Sequence, residues 1–160
     1  MRLGIPLERT AHERRVAAVP ASVKAFTGWG WDVRVESGAG DAAGFTDAAF
    51  AEAGATIVAD AAAAHDADLV LRVDRPTFDE IALVPEGAIL AGFLDPFVAT
   101  DVVQALTDRN ITALAVEAVP RTTLAQAMDA LSSQANVAGS AAVTVSYTHL
   151  RAHETRSVIS

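Results

Sequence analysis

The sequence contains no cysteine, which excludes disulfide bridges and thiolate metal sites. No apolar run approaches the length that crosses a bilayer, and the chain starts without the basic and apolar regions of a signal peptide. Basic residues are few, because 12 Lys and Arg stand against 20 Asp and Glu, for a formal net charge of −8. This balance argues against contact with a phosphate backbone, so nucleic acid is not a predicted partner. We expect a water-soluble protein of the cytoplasm.

The chain has enough apolar sequence for one core, since 51% of its 160 residues are hydrophobic. Short β-branched runs bounded by Gly, Pro or Asp alternate with stretches of helical spacing. This alternation predicts an α/β fold with a mostly parallel sheet and flanking helices, a Rossmann-like three-layer domain. The predicted strands are Leu3–Ile5, Val33–Val35, Thr56–Val58, Leu69–Val73, Ile89–Ala91 and Thr112–Val116.

Capping residues and glycines mark three predicted helices. They lie between predicted strands, as the crossover connections of a parallel sheet require. The helices are Ala21–Phe26 after Pro20, Ala48–Ala53 between Thr46-Asp47 and Gly54, and one that opens at Thr100-Asp101 and ends near Asn110.

Gly38, Gly40 and Gly44 follow a predicted strand and precede a predicted helix, which is the setting of a dinucleotide-binding turn. Their spacing is one residue too long for G-x-G-x-x-G, and Thr46-Asp47 places the start of the helix after the last glycine. A helix N-terminus in that position is badly placed to meet a pyrophosphate. We therefore interpret this segment as a tight structural turn.

The segment Arg121–Gly139 is predicted to form a helix whose polar face carries no Lys, Arg or Glu. Ser, Asn and Asp are poor helix formers that compete for backbone hydrogen bonds, so a solvated face does not normally use them. Such a face suits hydrogen bonding to a specific partner, and the alternative is an interface helix. Gln126 has a second alternative, because it would form a capping box with Thr123. The apolar face holds Leu124, Met128, Leu131, Ala135 and Ala138, and the polar face holds Gln126, Asp129, Ser132, Ser133 and Asn136.

Five segments of the chain carry a resemblance to a known family. They are Arg2–Pro6, Glu13–Pro20, Val35–Gly40, Ala53–Ile57 and Arg121–Gly139. With them, residues 1–144 resemble the N-terminal part of the NAD(H)-binding alpha component of proton-translocating NAD(P) transhydrogenase, a group related to alanine dehydrogenase. The pattern Arg-x-x-x-x-Gln-x-x-Asp-x-x-Ser in the last segment is the most specific, and the other segments are shared with alanine dehydrogenases.

The resemblance implies that residues 1–144 form an N-terminal domain and that the dinucleotide fingerprint belongs to a second domain, before which this chain is truncated. The intact protein would transfer a hydride from NADH to NADP+ with inward proton movement. Its partners would be the NADP(H)-binding and membrane-spanning components, which would hold it at the inner face of the cell membrane. We expect the intact protein to be a homodimer and the fragment alone to be inactive.

The resemblance also implies a group of residues around the nicotinamide, namely Arg121, Gln126, Asp129 and Ser132. Gln126 and Ser132 would fix the rotation of the carboxamide by hydrogen bonds. Asp129 would pair with Arg121 and hold that arginine near the ring. We expect these residues to position the hydride transfer and none of them to act as an acid or base.

Three charged positions bear on the choice between transhydrogenase and alanine dehydrogenase. Arg15 matches an arginine that alanine dehydrogenases use for the substrate carboxylate, although an arginine near a strand end more often pairs with an acid of its own fold. Asp74 stands where those enzymes carry a catalytic lysine, and Asp95 where they carry a catalytic histidine. Without those two groups amino-acid oxidation loses its proton chemistry, whereas direct hydride transfer needs neither. An alanine-dehydrogenase-like oxidoreductase and a non-catalytic interaction domain are the alternative functions.

Other charged residues are predicted to have no functional role. His12 and His65 are placed in loops, with no partner at the spacing of metal ligands, and no metal site is predicted. Arg75 and Arg109 are predicted to be solvated. Residues 145–160 are unlike the family and resemble a translated sequencing adapter, so we predict a non-native, disordered tail.

Overall fold

Six strands make up the sheet of the unit Met1–Val116. They are β1 (Arg2–Ile5), β2 (Asp32–Glu36), β3 (Thr56–Val58), β4 (Leu69–Leu71), β5 (Ile89–Gly92) and β6 (Thr112–Ala115). The order across the sheet is β3-β2-β1-β4-β5-β6, and every neighbouring pair is parallel, which confirms the predicted fold class. The computed structural model describes residues 1–119, 122, 134 and 135, so of the second unit, Glu117–Ser160, only a few positions are described.

Five α-helices connect these strands within the described part of the chain. They are α1 (Pro20–Gly28), α2 (Asp47–Glu52), α3 (Ala61–His65), α4 (Phe78–Leu83) and α5 (Thr100–Asp108), with short 3-10 turns at Asp41–Ala43 and Val116–Ala118. The starts of α2, α3 and α4 are capped by the side chains of Thr46, Asp60 and Thr77, which accept hydrogen bonds from the third residue of each helix. None of the described helices has the length and apolar character needed to span a bilayer.

Apolar side chains pack on both faces of the sheet, as strand alternation requires. Leu69 and Leu71 of β4 pack with the cluster that contains Leu3 and Ile5, whereas Val70 between them belongs to the other cluster. The first cluster also takes in residues of α1 and α2, and the second takes in residues of α4 and α5. The result is the predicted three-layer arrangement of helices, sheet and helices.

Helix α3 lies so close to β1 that position 4 has room only for glycine. A Cβ on Gly4 would stand 1.9 Å from the carbonyl oxygen of Ala64. This contact fixes how closely the short α3 approaches the sheet.

Strand β4 is shorter than its apolar run predicts, because it ends at Leu71 instead of Val73. The N–H of Arg72 still donates to the carbonyl of Ala91 on β5 at 2.9 Å. The N–H of Val73, however, donates to Oε1 of Glu8 at 2.6 Å. A side chain from the loop after β1 thus ends the strand.

The strand order places a topological switch point between β1 and β4. The chain proceeds from β1 outward to β2 and β3 on one side, and from β4 outward to β5 and β6 on the other. In open parallel sheets the crevice at the carboxyl ends of the strands, at the switch point, is the usual place for a ligand. The loops after β1, β4 and β5 are therefore the expected location of a functional site.

Candidate functional site

A cleft of about 500 Å³ opens at this carboxyl edge. Its walls come from three loops, so residues far apart in sequence face one space. It is lined by Thr10 after β1, by Asp74, Arg75, Pro76, Thr77 and Phe78 after β4, and by Val98, Ala99, Asp101 and Val102 after β5.

Behind the cleft lies a buried ion pair network centred on Arg72. Its side chain is 1% exposed, and Nη2 donates to Oε2 of Glu8 at 3.1 Å. Nη1 lies 2.7 Å from Oε2 of Glu80, at the start of α4, as an ion pair and not as a well-directed hydrogen bond. Glu8 also accepts the N–H of Val73 at 2.6 Å and that of Asp74 at 3.4 Å. The loops after β1 and β4 are thereby tied to each other and to α4.

Glu80 remains a carboxylate although it is buried. Burial raises its pKa, but its contacts with Thr77 and Arg72 outweigh that effect and leave the pKa lowered. Oε2 of Glu80 accepts the backbone N–H of Thr77 at 2.8 Å and its hydroxyl at 3.0 Å, which completes a capping box. A carboxylate held in this way supplies the counter-charge that the buried guanidinium needs.

A second arginine extends the network toward β2. Arg9 forms a very short ion pair with Glu36, and Nη1 of Arg9 lies 4.0 Å from Oε1 of Glu80. The hydrogen bond with Glu36 raises the pKa of Arg9. Glu36 also accepts the N–H of Leu7 at 2.9 Å. Alternating acids and bases therefore hold the loop after β1 over the sheet edge.

The guanidinium of Arg15 lies over the ring of Phe93, 5.6 Å from its centroid. Its Nε and Nη2 donate to the two carboxylate oxygens of Glu13 at 2.9 and 2.6 Å. This two-point hydrogen bond is the main reason that the pKa of Glu13 is lowered and that of Arg15 is raised. The expectation that Arg15 pairs with an acid of its own fold is confirmed.

The predicted charged positions after β4 and β5 do reach this edge. Asp74 lines the cleft, and its Oδ1 accepts the N–H of Arg75 at 2.8 Å. Asp95 has a φ of 50°, and its carbonyl accepts the N–H groups of Val98 and Ala99, so it turns the chain into α5. Arg121, Gln126, Asp129 and Ser132, and the capping box at Thr123, lie outside the described residues, and their roles stay predictions.

Two predictions about charged residues are wrong. His65 lies in α3 and is fully buried, with Nδ1 2.7 Å from the carbonyl oxygen of Ala61. Burial lowers the pKa of His65, so the imidazole is neutral and donates from Nδ1. Arg109 is only partly exposed, and its Nη2 donates to the carbonyl of Val84 at 2.8 Å. Asp60, which caps α3, was the signal that could have placed His65 in a helix.

The glycine turn after β2 is structural, as predicted. The N–H of Gly38 donates to Oδ1 of Asp47 at 2.9 Å, and a Cβ on Gly40 would stand 2.5 Å from the ring of Phe50. Helix α2 begins at Asp47, after the last glycine. The turn is filled by its own carboxylate and aromatic ring, so it does not fit a pyrophosphate.

Comparison with known proteins agrees with this geometry. The family model for the alanine dehydrogenase/PNT, N-terminal domain matches residues 4–138. The chain is 49% identical over 149 residues to an NAD(P) transhydrogenase alpha subunit of Rhodospirillum rubrum, covering 89% of this chain and 39% of that protein. It is 38% identical over 151 residues to alanine dehydrogenase of Mycobacterium tuberculosis, covering 94% of this chain and 40% of that protein.

A solved structure supports the same relationship. Transhydrogenase from Sinorhizobium meliloti superposes with a TM-score of 0.83 and 40% identity, over 87% of this chain and 42% of that one. The chain thus spans about two fifths of the length of each of these three proteins. On the extent of the family match and on these identities, the chain belongs to the alanine dehydrogenase/PNT N-terminal domain family.

Proposed function

We propose that this chain is the N-terminal part of the NAD(H)-binding alpha subunit of a proton-translocating NAD(P) transhydrogenase. Its identity to the transhydrogenase subunit, 49%, exceeds its identity to the alanine dehydrogenase, 38%. The observation that carries the proposal is Asp74 in the cleft at the switch point. An amino-acid dehydrogenase would need a lysine there to move protons, and a carboxylate cannot stabilise the cationic iminium in the same way.

The proposed reaction suits a site that has no acid or base for the substrate. A bound NADH supplies the hydride, and the protein supplies position and electrostatics. Asp74 and Asp95 are compatible with this chemistry, because neither has to transfer a proton. Arg72 and Glu8 would serve it by holding the loops around the cleft in one arrangement.

Gln126 and Ser132 would orient the nicotinamide carboxamide, which offers one carbonyl and one amino group for hydrogen bonds. Asp129 would anchor Arg121 beside the ring. The chemistry of the residue types and the family membership of the chain support this proposal.

In this proposal the sequence consists of a domain over residues 1–144 and a non-native tail over residues 145–160. The adenosine and pyrophosphate would bind to a later domain of the longer protein, because the glycine turn at residues 38–44 is filled. NADP(H) would bind to a partner component, and a membrane-spanning component would hold the assembly at the inner face of the membrane. The longer protein would be a homodimer.

A non-catalytic interaction domain is the second candidate. Phe97 is 89% exposed and Val98 is 80% exposed, next to the cleft, and Phe78 on its other side is 56% exposed. Exposed apolar side chains at one edge are typical of a surface that binds another protein segment.

The genomic sequence downstream of Thr144 distinguishes the two candidates. A strand, a G-x-G-x-x-G/A turn and a helix there would support the enzyme, and their absence would support the interaction domain. The completed protein, mixed with its partner components, should oxidise NADH and reduce NADP+. It should not oxidise NADH when given pyruvate and ammonia, and such an activity would identify it as an amino-acid dehydrogenase instead.

A further inference from the structure

Arg15 presents a guanidinium that is suited to bind a small carboxylate. Its plane lies over Phe93, and the side chain is 45% exposed at the carboxyl edge of the sheet. The hydrogen bonds with Glu13 use Nε and Nη2. The two N–H groups of Nη1 are not part of that pairing, and they are donors that a second carboxylate could use.

Asp74 stands close to this guanidinium. The N–H of Phe93 donates to the carbonyl of Val73 at 3.2 Å, so the residue that follows Val73 enters the edge beside the Phe93 ring. Glu8 fixes the backbone of Asp74 by accepting its N–H at 3.4 Å. The pKa of Arg15 is raised mainly by its hydrogen bond with Glu13, and the charge of Asp74 adds to that effect.

The balance of charges around Arg15 is unfavourable to an incoming anion. Glu13 already pairs with Arg15, whereas the nearby charge of Glu8 is balanced by Arg72. Asp74 adds a carboxylate that no buried arginine offsets in the same way, and it lies on the cleft through which a small molecule would approach. One such charge at a half-exposed site is expected to weaken anion binding by about five- to tenfold.

We propose that Asp74 is a specificity-determining residue that keeps small carboxylates, such as 2-oxo acids and amino acids, from binding to Arg15. The inference rests on the proposed function in one respect: with such acids excluded, the hydride of NADH would be kept for NADP+. The exclusion itself is electrostatic and belongs to the described residues.

Titration of the ¹⁵N-labelled full chain with sodium pyruvate tests this proposal, with sodium chloride added to hold the ionic strength constant. The Nε–H signal of Arg15 and the amide signal of Phe93 report binding. We expect the Asp74→Asn variant to bind pyruvate at least fivefold more tightly than the unchanged chain. Asp101→Asn is the matched control, because it neutralises a carboxylate on α5 that lines the same cleft, and it should leave pyruvate binding unchanged. Arg15→Met in the Asp74→Asn background should abolish the gain.

Four results would overturn the proposal: equal affinity in the unchanged chain and Asp74→Asn, an equal gain in Asp101→Asn, binding that persists after Arg15→Met, or no measurable binding to Asp74→Asn. Thermal unfolding confirms that each variant is folded, and Asp74→Ser provides a second neutral side chain should Asp74→Asn fail to fold. Pyruvate binding needs no nicotinamide nucleotide. A completed protein that fails to transfer hydride would therefore refute the proposed function without deciding this titration.

Discussion

Replacement of Arg72 by Met is expected to lower the free energy of unfolding by roughly 3–5 kcal/mol. The Arg72 side chain is 1% exposed, and its two carboxylate partners, Glu8 and Glu80, are 3% and 9% exposed. Methionine would fill much of the space but supply no charge. Both carboxylates would then be buried without their cation, and removal of one partner from a buried ion pair costs about this much.

Urea unfolding of the full chain at pH 7, followed by circular dichroism, measures this loss. Arg2→Met is the matched control, because Arg2 is 40% exposed and pairs with Asp66 and Asp68 at the surface. Surface ion pairs contribute little, so the control should lose less than about 1 kcal/mol. Adding Glu8→Gln to Arg72→Met should recover part of the loss, since one buried charge is removed. A loss in Arg72→Met no larger than that in Arg2→Met would refute the assigned role of the network.

Three further predictions concern packing, pH and cofactor binding. Gly4→Ala should destabilise the chain by roughly 3 kcal/mol in thermal unfolding, because its Cβ would stand 1.9 Å from the carbonyl oxygen of Ala64; Gly28→Ala, where no atom lies within 4 Å, should change stability by less than about 1 kcal/mol. The folded-state pKa of His65 is lowered, so the unfolded chain binds a proton more readily, and stability should fall as the pH drops below about 6.5; His65→Gln should remove this part of the pH profile. The lowered pKa of Glu80 adds a second loss, present only as the pH falls below about 4.3. Calorimetry should find very weak NADH binding to the fragment, since the glycine turn is filled by Asp47, and micromolar affinity would contradict this expectation.

Strand positions could be predicted from the sequence because β-branched runs are bounded by residues that end strands. The run Thr56–Val58 forms β3 with the predicted bounds. The end of β4 could not be predicted, because the group that takes the N–H of Val73 is the side chain of Glu8, which lies 65 residues earlier in the chain. Strand ends that depend on such remote contacts leave no local signal.

The candidate site was predictable only in part, for the same reason. Arg15 could be expected to pair with an acid from its chemistry, and Glu13 lies two residues away. The network around Arg72 could not be predicted, because only the sheet order brings β1 beside β4 and places Glu8 next to it. The predicted loop at His65 was wrong because α3 spans only five residues, too few for a helical period to be visible in the sequence.

Kinetics of the completed protein test most directly whether the chain carries the nicotinamide side of a hydride-transfer site. Gln126→Ala and Ser132→Ala should each slow single-turnover hydride transfer from NADH by roughly tenfold or more. The affinity for NADH should change much less, because these side chains would align the ring and most binding would come from the later domain. Equal loss of rate and affinity, or no loss of either, would place both residues outside the site and contradict this assignment.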